Sequence, residues 1–397
     1  MNSAPTPASP ARRHATVPPW RNVRVLRVAG QLVVVVVVLV IVLVLLNNLT
    51  TAMARSNLTF GLDFLRTTAG FEIAETPIPY SATDSYGRAF AVGLANTMVV
   101  SIVGIVLATI LGVVVGVARL SRNWLVNRLT AGYVEIMRNT PLLVQLVLLY
   151  AVFLQLPSVA GSISLPGSIF LNQRGLFLPR PEREPAFGAW LGLVVLAIVV
   201  AVALRMVASR REAAGRPGYR LGLVGLVALV AIPAIGWFAL GVPIRLDPPV
   251  LERFNFVGGM NLSPEFSALL IGLVIYTAAF IGEVVRGGIQ AVRRGQIEAS
   301  RALGLTENQT LRLVIFPQAL RVIVPPLTSQ YLNLAKNSSL AIAIGFPDLF
   351  AVSRTMANQT GQSVAVIVLV MATYLSISLV TSLLMNIYNR RVQVLEA

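Results

Sequence analysis

Three groups of polar residues lie inside otherwise apolar sequence, and each is of a kind that can handle a small charged solute. Arg138-Asn-Thr-Pro-Leu-Leu-Val-Gln145 brings a guanidinium, a hydroxyl, a helix-perturbing proline and a carboxamide. Ile281-Gly-Glu283-Val-Val-Arg286 places an acid and a base three residues apart, hence on one helix face. Between Asn333 and Ser339, five of seven residues are polar, and one of them, Lys336, is the only Lys in the chain. An α-amino acid needs a cation or hydroxyl and backbone donors for its carboxylate, and an acid or carbonyls for its ammonium. The candidate pathway residues are therefore Arg138, Thr140, Gln145, Glu283, Lys336, Asn337, Ser338 and Ser339. Polar groups in lipid are expensive and usually line a cavity or pathway. Plainer readings stand beside this one. Arg138 can snorkel to headgroups, Pro141 can simply bend its helix, and Glu283 can simply neutralise Arg286. The Lys336–Ser339 cluster is the hardest to explain by packing alone.

A fourth polar stretch, residues 296–326, has a different character. Gln296 to Leu303 favours helix, with small Ala299, Ser300 and Ala302 permitting close approach of another surface. Gly304 suits the left-handed position that ends a helix. Thr306 and Gln309 form a capping-box pattern ahead of Leu311, Leu313 and Val314. Pro317 is expected to stop the helix or kink it. The pattern predicts two short helices at an angle, with Glu298 and Arg301 exposed on the first. It reads either as an amphipathic loop or as a segment built to be gripped from outside the membrane.

These groups must be positioned by membrane helices. The chain has 397 residues, 56% of them hydrophobic and 12% charged, with mean hydropathy +0.76. That excludes most soluble enzymes and points to a polytopic, all-α membrane protein. Apolar stretches of about 20 residues fall at 29–47, 90–118, 130–156, 188–208, 221–242, 265–286, 324–347 and 363–387, giving about eight spans. Arg-rich segments at 12–27, 119–128, 205–220, 286–321 and 390–391 mark alternate connections. Those connections and both termini are therefore expected in the cytoplasm. The same asymmetry accounts for the net charge of +16 without nucleic acid. The basic N-terminus runs into a span too long for a signal core and is expected to be retained. Residues 1–20, rich in Pro, Ala and Ser, are expected to be disordered.

Several chemistries are closed to such a chain. There is no Cys, and the one His, His14, lies in the Pro/Ala-rich tail. No catalytic residue and no metal site are expected. A phosphate-binding loop needs Gly-x-x-x-x-Gly-Lys-Ser/Thr, and the only Lys follows Leu-Ala in apolar sequence, so ATP-driven work must fall to a partner. The second span carries Gly104, Ala108, Gly112 and Gly116 in register, a smooth face for tight helix packing. The first, Leu32 to Leu46, is nearly all Val and Leu and is expected to face lipid.

Glu298-Ala-Ser-Arg-Ala-Leu-Gly304, followed by Phe316-Pro317, resembles the "EAA" loop of permease subunits of bacterial ABC importers. Arg138-Asn-Thr-Pro-Leu-Leu-Val-Gln145 and Pro317-Gln-Ala-Leu-Arg321 through Leu334-Ala-Lys336-Asn-Ser-Ser-Leu340 resemble the polar amino-acid branch of that family. Ser300 stands where the loop has Ala, and Asn139 where the branch more often has Gly. The resemblance covers roughly 90–156 and 265–390. It implies a type I importer transmembrane domain at 90–390, interrupted at 157–264 by an insertion with two extra spans. Residues 1–28 form a basic tail, and 29–89 an added first span and periplasmic loop. The long form is most similar to the Q-type subunit of general L-amino-acid permeases. The resemblance further implies that 296–326 is a coupling segment acting through Glu298, Ala299, Ser300, Gly304 and Leu305. The implied partners are two copies of an ABC ATPase that bind ATP and Mg, a related but distinct second permease, a periplasmic amino-acid-binding protein and the bilayer of the inner membrane. The competing class is a secondary transporter working without an ATPase.

Overall fold

The computed structural model describes residues 23–55 and 61–393, so the basic tail and His14 lie outside the described residues. Twelve α-helices dominate the described chain: α1 (Val23–Arg55), α2 (Tyr86–Ala118), α3 (Trp124–Asn139), α4 (Leu142–Leu154), α5 (Phe187–Ala213), α6 (Tyr219–Ala239), α7 (Pro264–Gln290), α8 (Arg294–Ala302), α9 (Glu307–Thr310), α10 (Phe316–Asn337), α11 (Leu349–Thr360) and α12 (Ser363–Gln393). Six helical rods are long and apolar enough to cross a membrane, and a bent pair, α3–α4, makes a seventh span if counted as one. The apolar part of α1, Ala29–Leu45, is shorter. Its described side chains from Leu32 to Leu45 are all exposed, in keeping with a lipid-facing helix.

The core is the α2–α7 pair, with α10 and α4 packed against it and α12 packed on α10 and α11. The small-residue face of α2 makes the close approach possible. Gly104, Ala108, Gly112 and Gly116 are all buried. A Cβ on Gly116 would stand 2.7 Å from the Gly282 carbonyl oxygen. Ile281, Leu273, Leu269 and Leu334 fill the space this creates, and each is fully buried. On the side away from α8, residues 61–85 fold over the start of α2 and meet α11 and α12. Ile73, Tyr86, Val92, Val352, Met356 and Val366 form a second core there.

Two expectations need correcting. The 130–156 span is not one straight helix: α3 and α4 meet at 106°. Thr140 is extended, as a residue before proline prefers, and Pro141 cannot donate to the preceding turn. Second, Pro317 ends nothing. From Glu307 to Ile344 the chain is one 38-residue rod, with a π turn at Leu311–Ile315 and Pro325 and Pro326 inside α10. The widened turn absorbs the register change that Pro317 imposes. The span expected to begin at 324 thus starts at Glu307, inside the coupling segment. The 157–264 insertion holds the α5 and α6 helices, both long and apolar enough to cross a membrane, and carries strands besides. Antiparallel strands β1 (Ile163–Leu165), β2 (Ile169–Asn172), β3 (Gly175–Leu178), β4 (Arg180–Arg183), β5 (Ile244–Asp247), β6 (Val250–Glu252), β7 (Asn255–Val257) and β8 (Met260–Leu262) bracket the α5–α6 hairpin. They form sheets β1-β2-β3-β8, β4-β5 and β6-β7. The β3–β8 and β4–β5 pairings hold both ends of the hairpin on one side, and β8 runs directly into α7.

One buried acid makes the fold's stability depend on pH. Asp348, between the spans, caps α11 by accepting from the Ala351 N–H at 2.8 Å and is fully buried. Burial is the main reason its carboxyl is pushed up from 3.8 to about 6; bonds from the Ala351 and Phe350 N–H groups and from Tyr374 act in the opposite direction. The folded protein therefore holds this proton more tightly than the unfolded chain. The associated stability is fully present below pH 3.8 and is lost as pH rises through about 6. It amounts to about 3 kcal/mol. Asn caps helices as well as Asp does. Asp348→Asn is therefore expected to raise the melting temperature at pH 8 and to flatten its decline between about pH 4 and 6. An unchanged pH profile would show that Asp348 does not titrate in this range.

Candidate functional site

The coupling segment is built from local chemistry. α8 ends in a Schellman motif: the Gly304 N–H donates to the Arg301 carbonyl at 2.9 Å and the Leu305 N–H to the Ser300 carbonyl at 3.1 Å. Gly304 has φ +79° with open space where a Cβ would point. Thr306 and Gln309 complete the expected capping box ahead of α9. Glu298, Ala299, Arg301, Ala302 and Gly304 are exposed, while Leu305 is half-buried at the motif's close. Ser300 differs from expectation. It is buried, donating to the Ile297 carbonyl at 2.7 Å and meeting the Thr310 hydroxyl at 3.0 Å. Its small size holds α8 against α9 and offers nothing to an outside surface. Leu303, which the sequence reading passed over, is 81% exposed. An apolar side chain held out by a rigid turn is a natural docking knob, but its position in the Schellman motif was the only hint in sequence.

Above this segment, Arg138, Arg119, Glu135, Asn139, Phe280 and Glu283 line a cleft of about 460 Å³ where α2, α3 and α7 meet. Glu283 forms an ion pair with Arg119 at the end of α2. It also accepts from Arg286 Nε at 3.2 Å and Nη2 at 2.9 Å. Its carboxylate is thus engaged by two guanidiniums and is not free for a substrate ammonium, which corrects that half of the expectation. The Arg286 pairing was visible at i, i+3. Arg119 was not, because it arrives from another helix. Arg138 lies over the Phe280 ring, 5.3 Å from its centroid, and forms no ion pair among the described residues.

The break between α3 and α4 claims two more candidates. Gln145 Nε2 donates to the Met137 and Thr140 carbonyls at 3.1 and 3.0 Å. Those carbonyls lose their helical partners at the break, so Gln145 acts as the cap that makes the bend tolerable. Its Oε1 is buried without a donor. The Thr140 hydroxyl donates to the Ile136 carbonyl at 2.9 Å.

In α10 the polar cluster divides. Ser338 is fully buried and donates to the Ala335 carbonyl at 2.9 Å, while Ser339 donates to the Lys336 carbonyl at 2.8 Å. Asn337 is half-buried. Ser329, Asn333 and Lys336 are exposed. Spaced four and three residues apart, they form one polar stripe on the open side of the rod. The distribution fits a helix with one face packed in its own subunit and the other turned toward something aqueous or a partner.

Residues 212–394 match the family model "Binding-protein-dependent transport system inner membrane component". AapQ, the general L-amino acid transport system permease protein of Rhizobium johnstonii, is 44% identical over 351 residues, covering 88% of this chain and 88% of AapQ. YhdX of Escherichia coli, a putative amino-acid ABC transporter permease protein, is 46% identical and covers 88% and 90%. BztB of Rhodobacter capsulatus, a glutamate/glutamine/aspartate/asparagine transport system permease protein, is 39% identical and covers 94% and 95%. Members of this family are not enzymes; the ATPase is a separate subunit. A multi-pass helical chain with an exposed, doubly capped segment beneath its polar rod is what such a division of labour needs. The chain belongs to the binding-protein-dependent transport family, as the inner-membrane permease subunit of an amino-acid ABC importer.

Proposed function

We propose that this subunit pairs with a related but distinct permease chain and passes polar and charged L-amino acids over a broad range. The substrate arrives from a periplasmic binding protein. Two ATPase copies, holding ATP and Mg, grip the α8–α9 segments of the paired permeases. On this reading that segment and both termini are cytoplasmic, following the Arg asymmetry of the connections. The names of AapQ and BztB support the substrate range.

The observation that carries the proposal is the continuity of the rod. Its first turn, α9, is half of the docking segment, and its far half carries Ser329, Asn333 and Lys336 on an exposed face. A Lys at the centre of a lipid-facing helix costs about 2.5–3.5 kcal/mol. The stripe therefore belongs to a wet pathway at the junction with the second permease. Movement of α9 on ATP binding is transmitted to that stripe along one continuous helical rod, through the π turn at Leu311–Ile315, as a rigid-body switch. Lys336 and Arg138 are the candidate cations for the substrate carboxylate along the pathway.

The test is binding of labelled glutamate, glutamine and arginine to the purified complex without its binding protein. Charge-assisted bonds contribute about 1.5–3 kcal/mol. Lys336→Ala and Arg138→Ala should therefore each weaken binding of all three at least about tenfold. Wild-type affinity for all three in both variants removes these residues from the site.

A further inference from the structure

Glu283 is spent on Arg119 and Arg286, which leaves the polar cleft one other acid, Glu135. Five of the lining residues come from α3: Ala131, Val134, Glu135, Arg138 and Asn139. Their spacing of three and four puts them on one helix face, and that face is turned to the cleft. Glu135 and Arg138 are both exposed. An acid and a base three residues apart on a helix, with Cβ atoms about 5–6 Å apart, can pair with each other. These two do not, and Glu135 has no ion-pair partner among the described residues. The Phe280 ring takes the Arg138 guanidinium instead, 5.3 Å from its centroid. One unspent carboxylate and one unspent guanidinium therefore face the same space from the same wall.

That pattern matches one part of a substrate and ignores the rest. Glutamate, glutamine and arginine differ in side-chain charge, yet each carries a carboxylate and an ammonium on one carbon. An acid and a base on adjacent helical turns answer this shared part with two charge-assisted bonds. A simple anion would answer Arg138 and be repelled by Glu135, and a simple cation would meet the reverse. Only a zwitterion satisfies both, and a cleft of about 460 Å³ leaves room for a side chain of either sign.

We infer that Glu135 is a specificity-determining acid of the pathway. It receives the substrate's α-ammonium while Arg138 receives the α-carboxylate, so the cleft selects the α-amino-acid zwitterion and leaves the side chain unread. The inference rests on the reading of Arg138 as a pathway residue.

The test compares binding of two substrate–analogue pairs to the purified complex without its binding protein. Glutamate is set against 2-oxoglutarate, which lacks the ammonium, and arginine against agmatine, which lacks the carboxylate. Wild type should bind each analogue at least about tenfold more weakly than its parent, the share of one charge-assisted bond. Glu135→Gln should weaken glutamate, glutamine and arginine by a similar factor and leave 2-oxoglutarate unchanged. A variant that merely loosened α3 would weaken 2-oxoglutarate as well. Equal binding of glutamate and 2-oxoglutarate by wild type overturns the inference. So does a Glu135→Gln complex that holds all three amino acids at wild-type affinity, or that loses 2-oxoglutarate along with them. If Arg138→Ala still weakens the three, the pathway stands and only the role of Glu135 falls. If Arg138→Ala is silent too, the pathway reading falls with it.

Discussion

Gly304→Val and Leu303→Asp should each lower substrate-stimulated ATP hydrolysis more than tenfold while the chain still inserts at wild-type levels. The two act differently. At Gly304 a Cβ meets no neighbour, but φ +79° is strained for any side chain and most of all for a β-branched one. The variant must distort the Schellman turn, at a cost of about 1–3 kcal/mol, and so misplaces everything α8 presents. Leu303 makes no such demand. It is 81% exposed, so replacing it leaves the fold alone and removes an apolar contact only. A central docking residue contributes about 2 kcal/mol or more, which is more than tenfold in an equilibrium. Rates are measured on the reconstituted complex with binding protein and amino acid present. Full stimulation in both variants would mean that the segment is not the docking surface.

Glu283→Ala should damage the permease itself. Arg119 and Arg286 converge on this one carboxylate, and Arg138 stands across the same cleft. Removing it leaves clustered positive charge at the α2–α7 junction, the tightest packing in the molecule. Losing one partner of a buried pair costs about 3–5 kcal/mol. Here the side chains keep 18–30% of their exposure, so about 2 kcal/mol is the fairer expectation. The melting temperature of the purified complex should fall by several degrees, and Arg119→Met in the same chain should restore part of it. A single variant that melts with wild type would show that the ion cluster does not hold α2 to α7.

What could be seen in sequence was what local chemistry decides. Gly304 and the Thr306–Gln309 pair depend only on neighbours in the chain, and the Gly104–Gly116 stripe needs only helical periodicity. What escaped depends on distant partners. The α3–α4 break is tolerable because Gln145 reaches back to the Met137 and Thr140 carbonyls, a contact no spacing rule supplies. Pro317, Pro325 and Pro326 are breakers by their local chemistry, yet the rod runs through them, because a π turn shifts the register and surrounding helices hold the rest. The strands of the insertion are three or four residues long, too short for alternation to register, and the β3–β8 and β4–β5 pairings reach across the whole α5–α6 hairpin. Among the candidate pathway residues, type alone could not separate the spent from the free. Glu283, Ser338 and Thr140 are engaged within the subunit, while Lys336 and Arg138 are not paired with an acid among the described residues.

The central claim is that an outside ATPase, gripping α8 and α9, moves the α9–α10 rod and thereby drives amino acids through the membrane. Its most direct test is uptake of labelled glutamate, glutamine and arginine into proteoliposomes. One set holds the complete permease–ATPase complex, and the other holds the permease subunits alone. Accumulation should require the ATPase, ATP on the coupling-segment side and the binding protein on the other, and should vanish with Leu303→Asp. Accumulation by the permeases alone, driven by an imposed proton or sodium gradient, would contradict the account.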